Sequence, residues 1–164
     1  MKKKAVLLFV ILILSGCSGK SPLPVSPSLS PTADPCPVEQ IEQFIAAADD
    51  AMFRFTQLAQ EAAGIPGEDL ESIIKEMQVI EAEAKEIDPP SCALVAESAL
   101  TSYMWTMIQG HFRLHIQGLG ITPEVFIDSP TADDEFTLAA SKLEYYETKM
   151  EELRNLLLEK SQTE

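Results

Sequence analysis

Residues 37–64, PVEQIEQFIAAADDAMFRFTQLAQEAAG, decide the fold. Val38, Ile41, Ile45, Ala48, Met52, Phe55, Ala59 and Ala62 recur at alternating steps of three and four, the spacing that lines one side of a 3.6-residue helix. Phe44, Ala51 and Leu58 widen that line into a sector broad enough to face a core. Pro37 suits a first turn, where its missing N–H costs nothing, and Gly64 suits the stop. An amphipathic helix of this width must bury its sector against other helices.

Three more segments carry the same period. Leu70, Ile73, Met77, Ile80, Ala84 and Ile87 define a second helix, with Glu71–Lys75 and Glu81–Lys85 spaced as i,i+4 pairs on the outside. Asp88-Pro89-Pro90 ends it. A third runs from about Ser91, a candidate cap, to Gln117, with Leu100, Met104, Met107, His111 and Leu114 down its centre. A fourth runs from about Thr131 to Lys160, where Thr131 followed by Asp133, Asp134 and Glu135 supplies a cap and negative charge at the start. Val125-Phe126-Ile127, between Pro123 and Pro130, reads as loop covering the end of the bundle rather than as a strand. Short connections force antiparallel neighbours. The expected fold is all-α, an antiparallel up-down-up-down four-helix bundle over residues 37–160.

Cys36 and Cys92 stand at the starts of helices one and three, which point the same way in such a bundle. They are expected to form a disulfide. In the chain-entropy account a loop of roughly 55 residues contributes about 4 kcal/mol. The alternative, two free thiols ligating a metal, lacks the close Cys-x-x-Cys spacing of zinc sites.

Residues 17–36 are rich in Pro and Ser with no periodic apolar face, which favours a disordered or extended tether. At about 3.1 Å per residue it reaches up to roughly 50 Å. Ahead of it, Lys2-Lys3-Lys4 precedes ten apolar residues, Ala5–Leu14, and then Leu14-Ser15-Gly16-Cys17. A ten-residue helix covers about 15 Å, half of a hydrocarbon core of roughly 30 Å, so the run is too short to span. The cationic start, short apolar run and Leu-Ser-Gly-Cys resemble a bacterial lipoprotein signal. That resemblance implies cleavage after residue 16, diacylglyceryl and palmitoyl chains on Cys17, and an extracytoplasmic protein held to the cell membrane. Ser18 in place of an aspartate implies the outer membrane where there are two. The paired helix starts Pro35-Cys36-Pro37 and Pro90-Ser91-Cys92-Ala93 also resemble those of helical bacterial lipoproteins with no assigned activity.

Removing residues 1–16 removes three of the 12 Lys and Arg and none of the 26 Asp and Glu, leaving a formal charge of −17. So acidic a chain repels phosphates, which argues against nucleic acid as a partner. Catalytic signatures are missing: no Gly-x-Ser-x-Gly elbow, no phosphate-binding glycine loop, no Cys-x-x-Cys-His. No enzyme activity and no cofactor are expected. His111 and His115 share one helical face and could bind a metal or small ligand with Glu68, Asp69, Asp133, Asp134 or Glu135, though Phe112 stands where His-Glu-x-x-His needs its glutamate. The plainer reading is two buried or end-of-bundle histidines. Trp105, Phe112 and Ile116 form a second apolar strip on helix three, leaving a narrow polar strip of Ser102, Thr106, Gln109, Arg113 and Gln117. The 118–130 loop, an envelope protein partner or an apolar ligand would cover it. The functional expectation is a structural or interaction module, with a metal- or ligand-binding protein as the alternative.

Overall fold

Each apolar sector becomes the buried face of a helix in the computed structural model, which describes residues 34–121 and 130–163. Four α-helices result: α1 (Val38–Ala62), α2 (Glu71–Lys85), α3 (Leu94–Gly118) and α4 (Ala132–Ser161), with a 3₁₀ turn at Gly67–Asp69. The helices pack on one another, α3 most extensively against α4, and the described residues contain no strand. The signal and lipidation readings at residues 1–17, most of the tether, and Val125–Ile127 lie outside the described residues.

The core sits where the four faces meet. Ile41, Phe44, Ala48, Ala51 and Phe55 of α1 are buried, with Ile73, Met77 and Ala84 of α2, Leu100, Met104 and Ile108 of α3, and Ala139, Met150 and Leu153 of α4. Phe55 meets Tyr103 edge-on at 5.8 Å between ring centroids. Each large side chain buried this completely contributes about 1.5–3 kcal/mol.

Helix boundaries follow local chemistry. Thr131 caps α4: its Oγ1 accepts the Asp134 N–H at 3.1 Å while Asp134 Oδ2 accepts the Thr131 N–H at 2.8 Å. This reciprocal box satisfies two orphan donors at once. Ser91 does not cap α3. Residues 90–93 form a turn closed by the Ala93 N–H on Pro90 O, and the helix starts only at Leu94. The Ser91 hydroxyl donates instead to Pro35 O at 2.8 Å. Cys92 is held in that turn by its disulfide to Cys36, with 5.9 Å between Cα atoms. Asp34 adds two further ties, accepting the Cys36 N–H at 2.9 Å and pairing with Lys160 in the last turn of α4. The Lys160 ammonium, then the Cys36 N–H, hold the Asp34 carboxyl below the usual carboxylate range. Asp34–Cys36 thus belongs with the helices.

Two glycines permit a backbone-to-backbone contact at the far end of α3. A Cβ on Gly67 would lie 2.6 Å from Leu114 O, and one on Gly118 would lie 2.6 Å from the Gly67 carbonyl carbon. His115 donates its Nδ1–H to Gly67 O at 2.9 Å across the same contact. Gly110 serves a similar purpose higher on α3, where Phe136 of α4 occupies the space a Cβ would need.

Candidate functional site

The two histidines part company in the fold. His111 is buried and its ring packs edge-on to Phe136, with 5.0 Å between centroids. Neither ring nitrogen has a hydrogen-bond partner, and burial holds its pKa below the ordinary histidine value. The neutral ring therefore behaves as an aromatic core residue. His115 has spent Nδ1 on the Gly67 carbonyl. Among the described residues no three His, Cys, Asp or Glu side chains converge as a metal site requires.

A second buried polar group was placed on the surface by periodicity alone. Glu81 pairs with Lys85 as the i,i+4 spacing implies, yet its side chain is only 8% exposed. It stands seven residues from Ile74, also buried, on the edge of α2 that the Leu70-Ile73-Met77 line does not include. Lys85 lies beside Glu81 Oε1 as an ion pair without a well-aligned hydrogen bond, and its ammonium sits 5.9 Å from the Trp105 ring centroid.

Helix α3 carries the surface with the clearest chemical character. From Ser98 to Phe112 it has no Asp, Glu, Lys or Arg, an uncharged length of about 22 Å on a strongly acidic chain. Two members of its polar strip, Thr106 and Arg113, are turned against α4, while Gln117 is exposed. Thr106 is buried, donating to Ser102 O at 2.9 Å and accepting from Lys142 Nζ at 2.6 Å, while Arg113 pairs with Glu135 at 3.2 Å. Of the apolar strip, Trp105 and Phe112 remain outside and Ile116 is half-buried. Leu94, Trp105 and Phe112 are 54%, 51% and 44% exposed. Residues 122–129, offered by the sequence as a cover, lie outside the described residues.

Where α3 meets α4 the surface is indented. A cleft of ≈ 440 Å³ is lined by Leu94, Val95, Ser98, Ala99, Lys142 and Tyr145. It shares Val95 and Tyr145 with a second of ≈ 360 Å³ that continues past Lys149 to Leu156. Both are open grooves rather than enclosed cavities. Lys149 is matched by Glu152 at 2.7 Å, and Lys142 has no carboxylate partner among the described residues. Seven of the eight described Lys and Arg side chains do have one: Arg54, Lys75, Lys85, Arg113, Lys149, Arg154 and Lys160.

No described helix is long and apolar enough to cross a membrane. No protein-family model matches the chain, and neither the curated proteins nor the solved structures provide a match.

Proposed function

We propose that this chain is a lipid-anchored cell-envelope protein whose helices form an interaction module. In this reading residues 1–16 are a signal peptide, Cys17 carries the acyl chains, and residues 17–36 are a spacer of Pro and Ser. The Lys2–Cys17 pattern supports the anchor. Each buried methylene contributes about 0.8 kcal/mol, so two or more chains hold the protein firmly where one would not. The helices are read as an antiparallel up-down-up-down bundle. Two ties support that order: Cys36–Cys92 joins the starts of α1 and α3, and Asp34–Lys160 joins the start of α1 to the end of α4.

The observation that carries the interaction reading is the half-exposed Leu94, Trp105 and Phe112 on the uncharged face of α3. Phe53, Val79 and Leu158 are exposed on the other helices too, but there a charged residue stands within two positions in sequence. Trp105 lies inside a charge-free stretch that ends at Phe112, and an apolar strip rimmed by charge is the form a protein contact takes. No catalytic role is assigned. The alternative of a metal or small ligand at His111 and His115 finds no support in a ring sealed against Phe136 and another bonded to Gly67.

Two experiments test the proposal. Cells fed radioactive palmitate should label the protein through Cys17, and a Cys17→Ala form should accumulate unprocessed and lose the label. A photo-crosslinking residue at Trp105 or Phe112 should form a protein adduct in cells, whereas one at the exposed Phe53 of α1 should not. An unlabelled protein removes the anchor; equal adducts at all three positions remove the module.

A further inference from the structure

We propose that the α3–α4 groove is the docking site for an amphipathic helix of a protein partner, and that Lys142 receives a carboxylate on that helix. The inference rests on the interaction-module reading and names the place and chemistry of the contact.

The shape of the groove suits a small ligand less well than a helix. Sites for small molecules bury most of the ligand's surface in a cleft, and these two adjoining indentations are half open to solvent. A helix laid along a groove needs only two walls and a floor. Leu94 and Val95 on α3 and Tyr145 on α4 stand half exposed as walls, and the small side chains of Ala96 and Ala99 form a floor that lets a helix approach. From Lys142 to Leu156 the α4 side of the groove runs about 21 Å, room for some fourteen residues of helix, or two i, i+3, i+7 repeats of apolar anchors.

Charge selects the occupant. The chain carries 26 acids, and every other described cation has found one of them. Lys142 is half-buried at the edge of an uncharged surface, with one of its three donors on Thr106 Oγ1. Lys142 lines the cleft together with Leu94, Val95, Ser98 and Tyr145. A partner helix that buried this ammonium without a counter-charge would leave it desolvated and unpaired. One presenting a glutamate or aspartate beside its apolar anchors would complete the pair at Lys142. A second copy of this chain is disfavoured by its net charge.

The test uses the full-length anchored protein in cells, with a photo-crosslinking residue at Val95 in the groove, at Trp105 on the outer strip, or at Phe53 on α1. The expected result is a Val95 adduct to one segment of one protein, with apolar residues at helical spacing and an acid on their edge. Lys142→Glu should lower its yield tenfold or more, Lys142→Arg should keep it, and Lys142→Gln should fall between. Changing the partner's acid to lysine should restore the adduct to Lys142→Glu. Far-UV circular dichroism of each variant confirms that it folds, and Lys142→Gln preserves the falsifying comparison should Lys142→Glu not fold. The proposal is overturned by a Val95 adduct indifferent to position 142, by an adduct to lipid or to a second copy, or by none. Trp105 adducts without Val95 adducts overturn this docking site and leave the module standing; adducts at neither position overturn both.

Discussion

Replacing Gly118 with alanine sets local propensity against packing, and the two disagree in sign. Gly118 is the last residue of α3. In a helix glycine is less favourable than alanine by about 1 kcal/mol, so propensity alone makes Gly118→Ala stabilising. The structure makes it destabilising. An added Cβ would lie 2.6 Å from the Gly67 carbonyl carbon, where ordinary contacts begin at 3.4 Å, an overlap of about 0.8 Å. A second clash is with the backbone nitrogen of Glu68. Both are main-chain atoms of the 3₁₀ turn, which cannot rotate away as a side chain would. Overpacking of this kind costs about 1–3 kcal/mol, and separating α3 from the turn also lengthens the His115–Gly67 hydrogen bond. Two backbone clashes place the cost in the upper half of that range, leaving Gly118→Ala less stable by about 1–2 kcal/mol. Urea unfolding of the unlipidated chain from Ser18 onward, followed by circular dichroism, should show the midpoint falling by about 0.5–1 M at unchanged slope. A midpoint equal to or above that of the parent would refute the backbone contact and return α3 to ordinary helix energetics.

Other perturbations read different parts of the fold. Cys36→Ser with Cys92→Ser opens a loop with a sequence separation of 56 and should cost about 4 kcal/mol on the chain-entropy account; a parent protein whose unfolding midpoint is indifferent to dithiothreitol would contradict it. Thr131→Ala removes the capping box of α4 and should cost about 1 kcal/mol, while Thr131→Ser should cost little; equal midpoints for the two would show that the box contributes nothing. His111 has a folded pKa held below its ordinary value of 6.5, so below that pH the unfolded chain takes up the proton more readily. Stability from the neutral ring is complete above about pH 6.5 and declines as pH falls towards 5, a window above the main carboxylate titration. His111→Gln should flatten that decline in urea midpoints between pH 6.5 and 5, and a parallel slope in the two proteins would assign the pH dependence elsewhere.

Period and punctuation were enough for the helices and not for their neighbours. The α1 sector, the Thr131 start and the pairing of Cys36 with Cys92 were each legible, because each depends on residues close in sequence or on a count of cysteines. Ser91 misled because a serine before a helix has two uses. Its hydroxyl serves Pro35, a residue 56 positions away that the disulfide brings near. Glu81 was legible in part. Its i,i+4 lysine was evident, and its burial could have been read from Ile74, seven residues earlier on the same face. Thr106 was not legible. Nothing in α3 announces that Lys142 of α4 will cover its hydroxyl, and so Thr106 turned inward while Trp105 and Phe112 stayed outside. A helix with little contrast between its faces has its orientation set by its neighbours.

That orientation bears on how an anchored module would present itself. The chain enters the helices at Asp34–Cys36, where three ties converge: the disulfide to Cys92, the Ser91 hydroxyl on Pro35, and the Asp34–Lys160 pair. If the Pro/Ser segment is the tether proposed above, tension from the membrane is delivered at this point to α1, α3 and α4 together. Without the disulfide the same pull would fall mainly on α1, since the remaining ion pair to α4 and the one hydrogen bond from Ser91 resist weakly. The α3–α4 groove opens at this same end, beginning at Cys92, Leu94 and Val95. A staple that fixes the start of α3 at the chain's entry point also fixes the α3 wall of the proposed groove. On that reading the covalent link between the first and third helix starts holds the groove's shape under load in addition to stabilising the fold at rest.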